Sequence, residues 1–288
     1  MLLRNFWCIE KLKEGEIKVE KMQAKAPTTV RFDERAFGMI NHTEVRWLGN
    51  AGAFINSRGT TIMIDPLLKG FDMPLLIEMP IGTEEIPRLD ALLITHSDND
   101  HFSRVTCREI APAVREFHSP HYLVSLVKEI GIDGIGHGIH EAFEVGNVKV
   151  TLTPADHAWQ NEYPKHKTRE FKMEDYCGFW LDTPDGSIWA VGDSRLIEEQ
   201  LNMPSPDVML FDFSDSAWHI GFEGAVRLAD AYPDSKLILW HWGSVDAPNM
   251  KEFNGDPADL AAKIINPERI IVLAPGEAYR MHKTQVQP

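Results

Sequence analysis

The residues best suited to chemistry lie in the heptapeptide Thr95-His96-Ser97-Asp98-Asn99-Asp100-His101, which holds four metal-competent side chains within six positions. On an extended or looped backbone His96, Asp98 and Asp100 project to one side, while the adjacent His101 turns the other way and reaches toward a second ion. Imidazole and carboxylate ligands together suit Zn, Mn or Fe(II) rather than Ca or Mg. Taken alone, the heptapeptide also reads as a solvated turn capping the next helix. Asp65, His157, Asp193 and His241 weigh against that, because each falls at or shortly after an apolar or β-branched run. Loops at strand ends are where a rigid scaffold aims side chains at one point.

The elements that must position these residues are legible in the hydrophobic pattern. Short apolar runs recur at residues 45–48, 61–64, 91–95, 148–152, 178–181, 188–191, 208–211, 237–240 and 270–273, and such runs read as buried strands. Helical spacing appears over 104–115, 123–130, 223–231 and 258–265, with Pro112 placed to end or kink the first. Strands punctuated by helices predict an α/β layered fold. Gly146-Asn147 and Pro184-Asp185-Gly186 read as turns between neighbouring strands, so the sheets are not purely parallel. Residues 1–41, with a charged stretch from Glu10 to Lys25, read as a leader or peripheral extension ahead of one domain over 42–288.

Composition narrows the partners. With 43 acidic against 29 basic residues the net charge is −14, which disfavours attraction to a phosphate backbone, so nucleic acid is not the expected substrate. Cys8, Cys107 and Cys177 lack C-x-x-C spacing, and their odd number fits a reducing compartment. The start of the chain is a poor secretory signal, and no later apolar run is long enough to cross a bilayer. A cytoplasmic protein is the economical expectation.

The order His96-x-Asp98-x-Asp100-His101, Ala155-Asp156-His157, Gly192-Asp193-Ser194 and His241-Trp242-Gly243 resembles the metallo-β-lactamase superfamily. Trp47-Leu48-Gly49-Asn50-Ala51-Gly52, Ile64-Asp65-Pro66 and the segment from His219 to Val226 are similar to the branch containing ascorbate-6-phosphate lactonase and N-acyl-phosphatidylethanolamine phospholipase D. The resemblance implies a four-layer αββα sandwich and two divalent transition metal ions, Zn, Mn or Fe. It implies that His96, Asp98 and His157 hold one ion and Asp100, His101 and His241 the other, with Asp193 bridging and Asp65 orienting ligands by hydrogen bonds. Water activated between the ions would attack an ester, lactone, amide or phosphodiester of a small or lipid-like molecule. Asp100 would orient that nucleophile or take its proton, and His219 would stabilise the developing oxyanion or protonate the leaving group. The chain departs from the family's usual His at Asp98 and at Asn50. A carboxylate at 98 hardens its site, so Mn or Fe competes with Zn. Asp98 also admits a non-haem diiron redox protein, although no flavin-binding domain is recognisable. A non-catalytic, metal-stabilised interaction protein is the third reading.

Overall fold

The structure, a computed structural model, describes residues 23–281. Cys8 and most of the N-terminal extension lie outside them. From Thr43 the chain lays down β1 (Thr43–Gly49), β2 (Gly52–Ser57), β3 (Thr60–Ile64), β4 (Leu89–Leu93), β5 (Val114–Pro120) and β6 (Ile135–His137) as neighbours in one sheet. The second sheet comprises β7 (Ala142–Val145), β8 (Val148–Pro154), β9 (Cys177–Thr183), β10 (Gly186–Ala190), β11 (Val208–Phe211), β12 (Lys236–Leu239) and β13 (Ile270–Ile271). A last strand, β14 (Ala278–Arg280), returns to pair with β1. Both sheets are mixed: β3, β4, β5 and β6 run parallel to one another, as do β10 to β13, while β7, β8, β9 and β10 pair antiparallel in turn.

Side-chain alternation explains the layers. Ala53, Ile55, Ile62, Ile64, Ala91 and Leu93 face the second sheet's Val150, Leu152, Phe179, Ile188 and Leu210 in one core. The alternate residues Phe54, Met63 and Leu92 face outward and bury the apolar sides of α1 (Arg104–Ile110) and α2 (His121–Glu129) through Cys107, Ile110, Leu123 and Val127. The second sheet is covered by α3 (Phe222–Ala231) and α4 (Pro257–Ala261), through Ala225, Leu228 and Leu260. Strands buried on both faces need apolar residues at successive positions, which is why they read as continuous runs. This is the expected four-layer αββα sandwich.

Some boundaries differ from the sequence reading. The helix expected over 104–115 stops at Ile110; Pro112 sits in a single 3-10 turn, and Val114 opens β5. Proline has no N–H to extend the helical ladder, and the chain continues as a parallel strand beside β4. β2 carries Asn56 and Ser57 at buried positions, so its pattern looks turn-like. Asn56 is satisfied there by donating to the carbonyls of Ala36 and Gly38 at 2.7 and 2.8 Å. Within the extension, Phe37 is buried against Phe54, and Ala26 N–H donates to the Gly243 carbonyl.

On β5 and β6, His118 Nδ1 and His137 Nε2 share a hydrogen bond at 2.9 Å, and both rings stack on Phe143. Burial, with the neighbouring His137, pushes His118 down from 6.5 to about 4. A histidine depressed in the folded state contributes stability that is complete above its unfolded value near 6.5 and is lost as pH falls toward its folded value. Thermal melts are therefore expected to lose Tm between pH 6.5 and 4 in excess of a His118→Gln variant. Parallel pH curves for the two proteins would remove the pair from the acid transition.

Candidate metal centre and pocket

The candidate site forms where strand ends of both sheets meet. Asp65 directly follows β3, and His96 to His101 occupy the loop between β4 and α1. Ser103 closes that loop by capping α1, its side chain accepting from Thr106 N–H at 3.1 Å. From the second sheet, His157 follows β8, Asp193 follows β10, Asp212 follows β11 and His241 follows β12. Parallel pairing of β10, β11 and β12 puts their C-terminal ends at one edge. Gly192, at φ 75°, turns the chain into Asp193, where an added Cβ would stand 2.5 Å from the Cys177 carbonyl oxygen. Asn50, Asp65 and His241 hold left-handed backbone without being glycine, at φ 46°, 42° and 59°. Strain of this kind persists where surrounding structure over-determines it.

Asp193 is the hub. Its Oδ2 lies 3.0 Å from His101 Nε2, 3.5 Å from His219 Nε2, 3.6 Å from His241 Nε2 and 3.9 Å from His157 Nε2. Asp100 Oδ2 stands 3.3 Å from His241 Nε2 and 3.6 Å from His101 Nε2. Two ligand groups result: Asp100, His101, Asp193 and His241 in one, and His96, His157 and Asp193 in the other. Asp98 borders the second, with Oδ2 at 3.5 Å from His96 Nε2 and 3.4 Å from His157 Nε2. Every residue of the expected set is thus brought to one place. His219 comes closer to the hub than a position facing only substrate requires, and it forms a further group with Asp212 and His241.

Each imidazole is held by its Nδ1. His101 Nδ1 faces Asp65 Oδ2 at 2.8 Å, His157 Nδ1 the Trp218 carbonyl at 2.7 Å, His241 Nδ1 the Glu252 carbonyl at 2.8 Å and His219 Nδ1 Asp212 Oδ2 at 2.8 Å. Thr95 donates its hydroxyl to Asp65, so the same oxygen accepts from His96 Nδ1 at 2.9 Å. Acceptors at every Nδ1 select the tautomer whose Nε2 lone pair points inward, the form that binds metal. Among the described residues, buried His96 Nε2 and Asp193 Oδ1 have no hydrogen-bond partner. Such groups are costly unless something else satisfies them, and a transition metal fits this donor set.

Electrostatics agree with a site built for cations. Burial depresses the His101 imidazole, but the Asp193 and Asp100 carboxylates outweigh it and push His101 well above its ordinary value. His241 is raised to about 9 by the same contest between burial and the Asp193 and Asp100 charges. Burial raises the Asp193 carboxyl, yet the surrounding imidazoles hold it well below the usual range. His96, with burial and His101 both against its charge, is lowered.

Asp65 is fully buried and its carboxylate is fully used, accepting from Thr95 N–H at 2.8 Å and from the Thr95 hydroxyl while orienting His101. Asp65→Asn is expected to weaken metal binding on the order of 10- to 100-fold, the usual cost of losing an outer orienting partner. Competition titration against a chromophoric chelator measures it. Unchanged affinity would mean that packing alone orients His101.

A cavity of about 740 Å³ opens above the cluster, walled by Phe71, Met73, Trp159, Tyr163, Trp218 and Met250. Trp242 is instead buried and stacked on Trp47, with ring centroids 6.1 Å apart. Sequence reasoning missed Asp212, Gln160 and His166, the last two lining the cavity. Asp212 carries the same signal as Asp65 and Asp193, a carboxylate at the end of an apolar strand. Asn50, where the family's imidazole is absent, donates from Nδ2 to the Asp100 carbonyl at 3.0 Å and lies 3.4 Å from Asp100 Oδ2.

The family described as Beta-lactamase superfamily domain matches residues 60–242, a span covering most of both sheets and all the clustered residues. A UPF0173 metal-dependent hydrolase of Caldivirga maquilingensis is 22% identical over 244 residues, covering 82% of this chain and 97% of that protein. Igni18, a metallo hydrolase of Ignicoccus hospitalis, shares the fold at TM-score 0.65 and 19% identity, over 84% of this chain and 99% of its own. CmlA, a diiron β-hydroxylase of Streptomyces venezuelae, shares it at TM-score 0.64 and 16% identity, over 84% of this chain and 55% of its own. The chain belongs to the metallo-β-lactamase superfamily and is one of its metal-dependent hydrolases.

Proposed function

We propose that this protein hydrolyses an ester, lactone, amide or phosphodiester of a small or lipid-like substrate, using two divalent transition metal ions. The observation that carries the reading is the gathering of five imidazole Nε2 atoms about the Asp193 carboxylate, which lines the cavity together with His157 and His219. His96 and His157, with Asp98 beside them, would hold one ion; Asp100, His101 and His241 the other; Asp193 belongs to both. Metal held by these residues would supply a nucleophile from water at neutral pH and polarise the oxygen of the scissile bond.

The chain's own residues do the rest. His219 Nδ1 is engaged by Asp212 Oδ2 at 2.8 Å, which leaves Nε2 turned toward Asp193 and the site. The ring takes up a proton there, is steadied as imidazolium by Asp212, and returns the proton to the leaving group. Asn50 fixes Asp100, which orients the attacking water. The aromatic and Met walls favour a substrate with an apolar limb, and the net charge of −14 disfavours nucleic acid.

Metal-loaded protein screened against lactones, phosphodiesters and N-acyl amides is expected to turn over one class, with activity lost to chelator and restored by metal. No turnover in any class, or turnover that survives chelation, overturns the reading. Elemental analysis after growth in balanced metals is expected to find Mn or Fe at least competitive with Zn, because Asp98 hardens one half of the site. Zinc alone at both positions, whatever the Mn or Fe supply, would refute the hardness reasoning.

A further inference from the structure

Asp98 has a second set of partners that its place in a ligand motif does not account for. Its Oδ2 accepts from Trp159 Nε1 at 2.7 Å and its Oδ1 from Gln160 Nε2 at 2.8 Å. Gln160 is buried and is oriented by the Tyr176 hydroxyl, which donates to its Oε1 at 2.6 Å. Tyr176 is also buried, its ring centroid 5.5 Å from that of His96 and 5.7 Å from that of His157. Immediately beyond, Asn161 closes the base of a loop by donating to the Phe171 carbonyl at 2.7 Å and accepting from Phe171 N–H at 3.0 Å. That loop carries Tyr163, Lys165 and His166 to the cavity wall, and Trp159 braces His166 edge-on at 5.0 Å. Compact loops with adjoining ends and their own packing are frequent carriers of function.

We propose that Asp98 is a positioning residue that ties the substrate-facing loop 159–171 to the His96–His157 half of the metal centre, so that metal occupancy and seating of the pocket wall are coupled. This rests on the hydrolase reading only for what the wall contacts. The chemistry explains the departure at this position. Two donors converge from the loop, and a carboxylate offers two acceptor atoms where a neutral imidazole offers one. Asp98 therefore matches Trp159 and Gln160, and a histidine there would take this partner from either the half-buried Trp159 or the buried Gln160. Outer hydrogen bonds to a ligating carboxylate hold it in place for metal. By linkage, whatever the loop contributes to metal affinity, metal returns to the loop.

The test needs no substrate. Hydrogen–deuterium exchange is measured on the full chain, metal-free and loaded with Zn²⁺ or Mn²⁺, for wild type and for the double variant Trp159→Phe/Gln160→Leu. Metal is expected to slow exchange in wild type at the bonded amides of His166, Lys167 and Phe171. The double variant should exchange there on the order of tenfold faster, with little response to metal. Its metal affinity, titrated separately, should fall on the order of tenfold. Tyr176→Phe, which removes only the hydroxyl that orients Gln160, should move both readouts the same way by less, and serves if the double variant does not fold. Loop exchange unaffected by metal in wild type, or metal affinity unchanged in a folded variant with a loosened loop, overturns the coupling. Because metal binding and loop exchange are read without turnover, a failed substrate screen leaves this result standing, and the reverse holds.

Discussion

His219→Ala is expected to lower kcat on the order of a hundredfold or more while metal content and melting temperature stay close to wild type, as for loss of a proton-transfer or oxyanion contact. The ring is buried at the cavity floor, with Nδ1 committed to Asp212 and Nε2 facing the reaction space. Alanine removes that Nε2 without removing any of the four imidazoles and three carboxylates assigned to metal. Asp212→Asn is the companion variant. Its amide can present N–H where the carboxylate accepted, so it loosens the Nδ1–H tautomer and withdraws the charge that steadies the imidazolium, shifting the pH profile as well as the rate. Full activity in His219→Ala would make the ring a packing residue. Loss of metal would make it a ligand, an outcome the 3.5 Å separation from Asp193 Oδ2 keeps within reach.

The second large effect is expected at Asp193. Asp193→Ala should reduce metal affinity on the order of a hundredfold or more at both half-sites, because this residue belongs to both ligand groups. Isothermal titration with Zn²⁺ or Mn²⁺ measures it. The metal-free variant should also be less stable, by about 3 kcal/mol, since removing one member of a buried charge cluster leaves the others uncompensated. Stability gained from the carboxylate's depressed pKa is present above the ordinary carboxylate range and is lost as pH falls from that range through the lowered folded value, so the deficit should narrow only in strong acid. Retention of one tightly held ion would mean that the two halves do not depend on a shared carboxylate.

Legibility in the sequence tracks burial. Strands buried on both faces announce themselves as apolar runs, and the ligands at their ends inherit that signal; hence Asp65, His157, Asp193 and His241 are found with the strands. β2, with buried Asn56 and Ser57, and β5, which comes after a proline and includes His118, are masked by polar residues whose partners are supplied only by tertiary contacts. His166 and Gln160 lie on a loop with no periodicity, and nothing in spacing says that it folds back over Asp98. Asp98 itself is visible as a metal-competent carboxylate, but its commitment to Trp159 and Gln160 depends on residues more than sixty positions away.

The centre straddles the sandwich: Asp65, His96, Asp100 and His101 issue from one sheet, and His157, Asp193 and His241 from the other. Neither sheet alone holds either of the two ligand groups that share Asp193, so the docked arrangement is the form that can offer them to metal. Binding restricted to the folded form adds stability in proportion to the logarithm of free metal over Kd, about 2.7 kcal/mol at a hundredfold excess. Metal scarcity would then be felt first as shortened lifetime, with chains that open between the sheets removed by proteases before slower catalysis could be noticed. The abundance of this protein in a cell should therefore track metal supply even where its transcript does not.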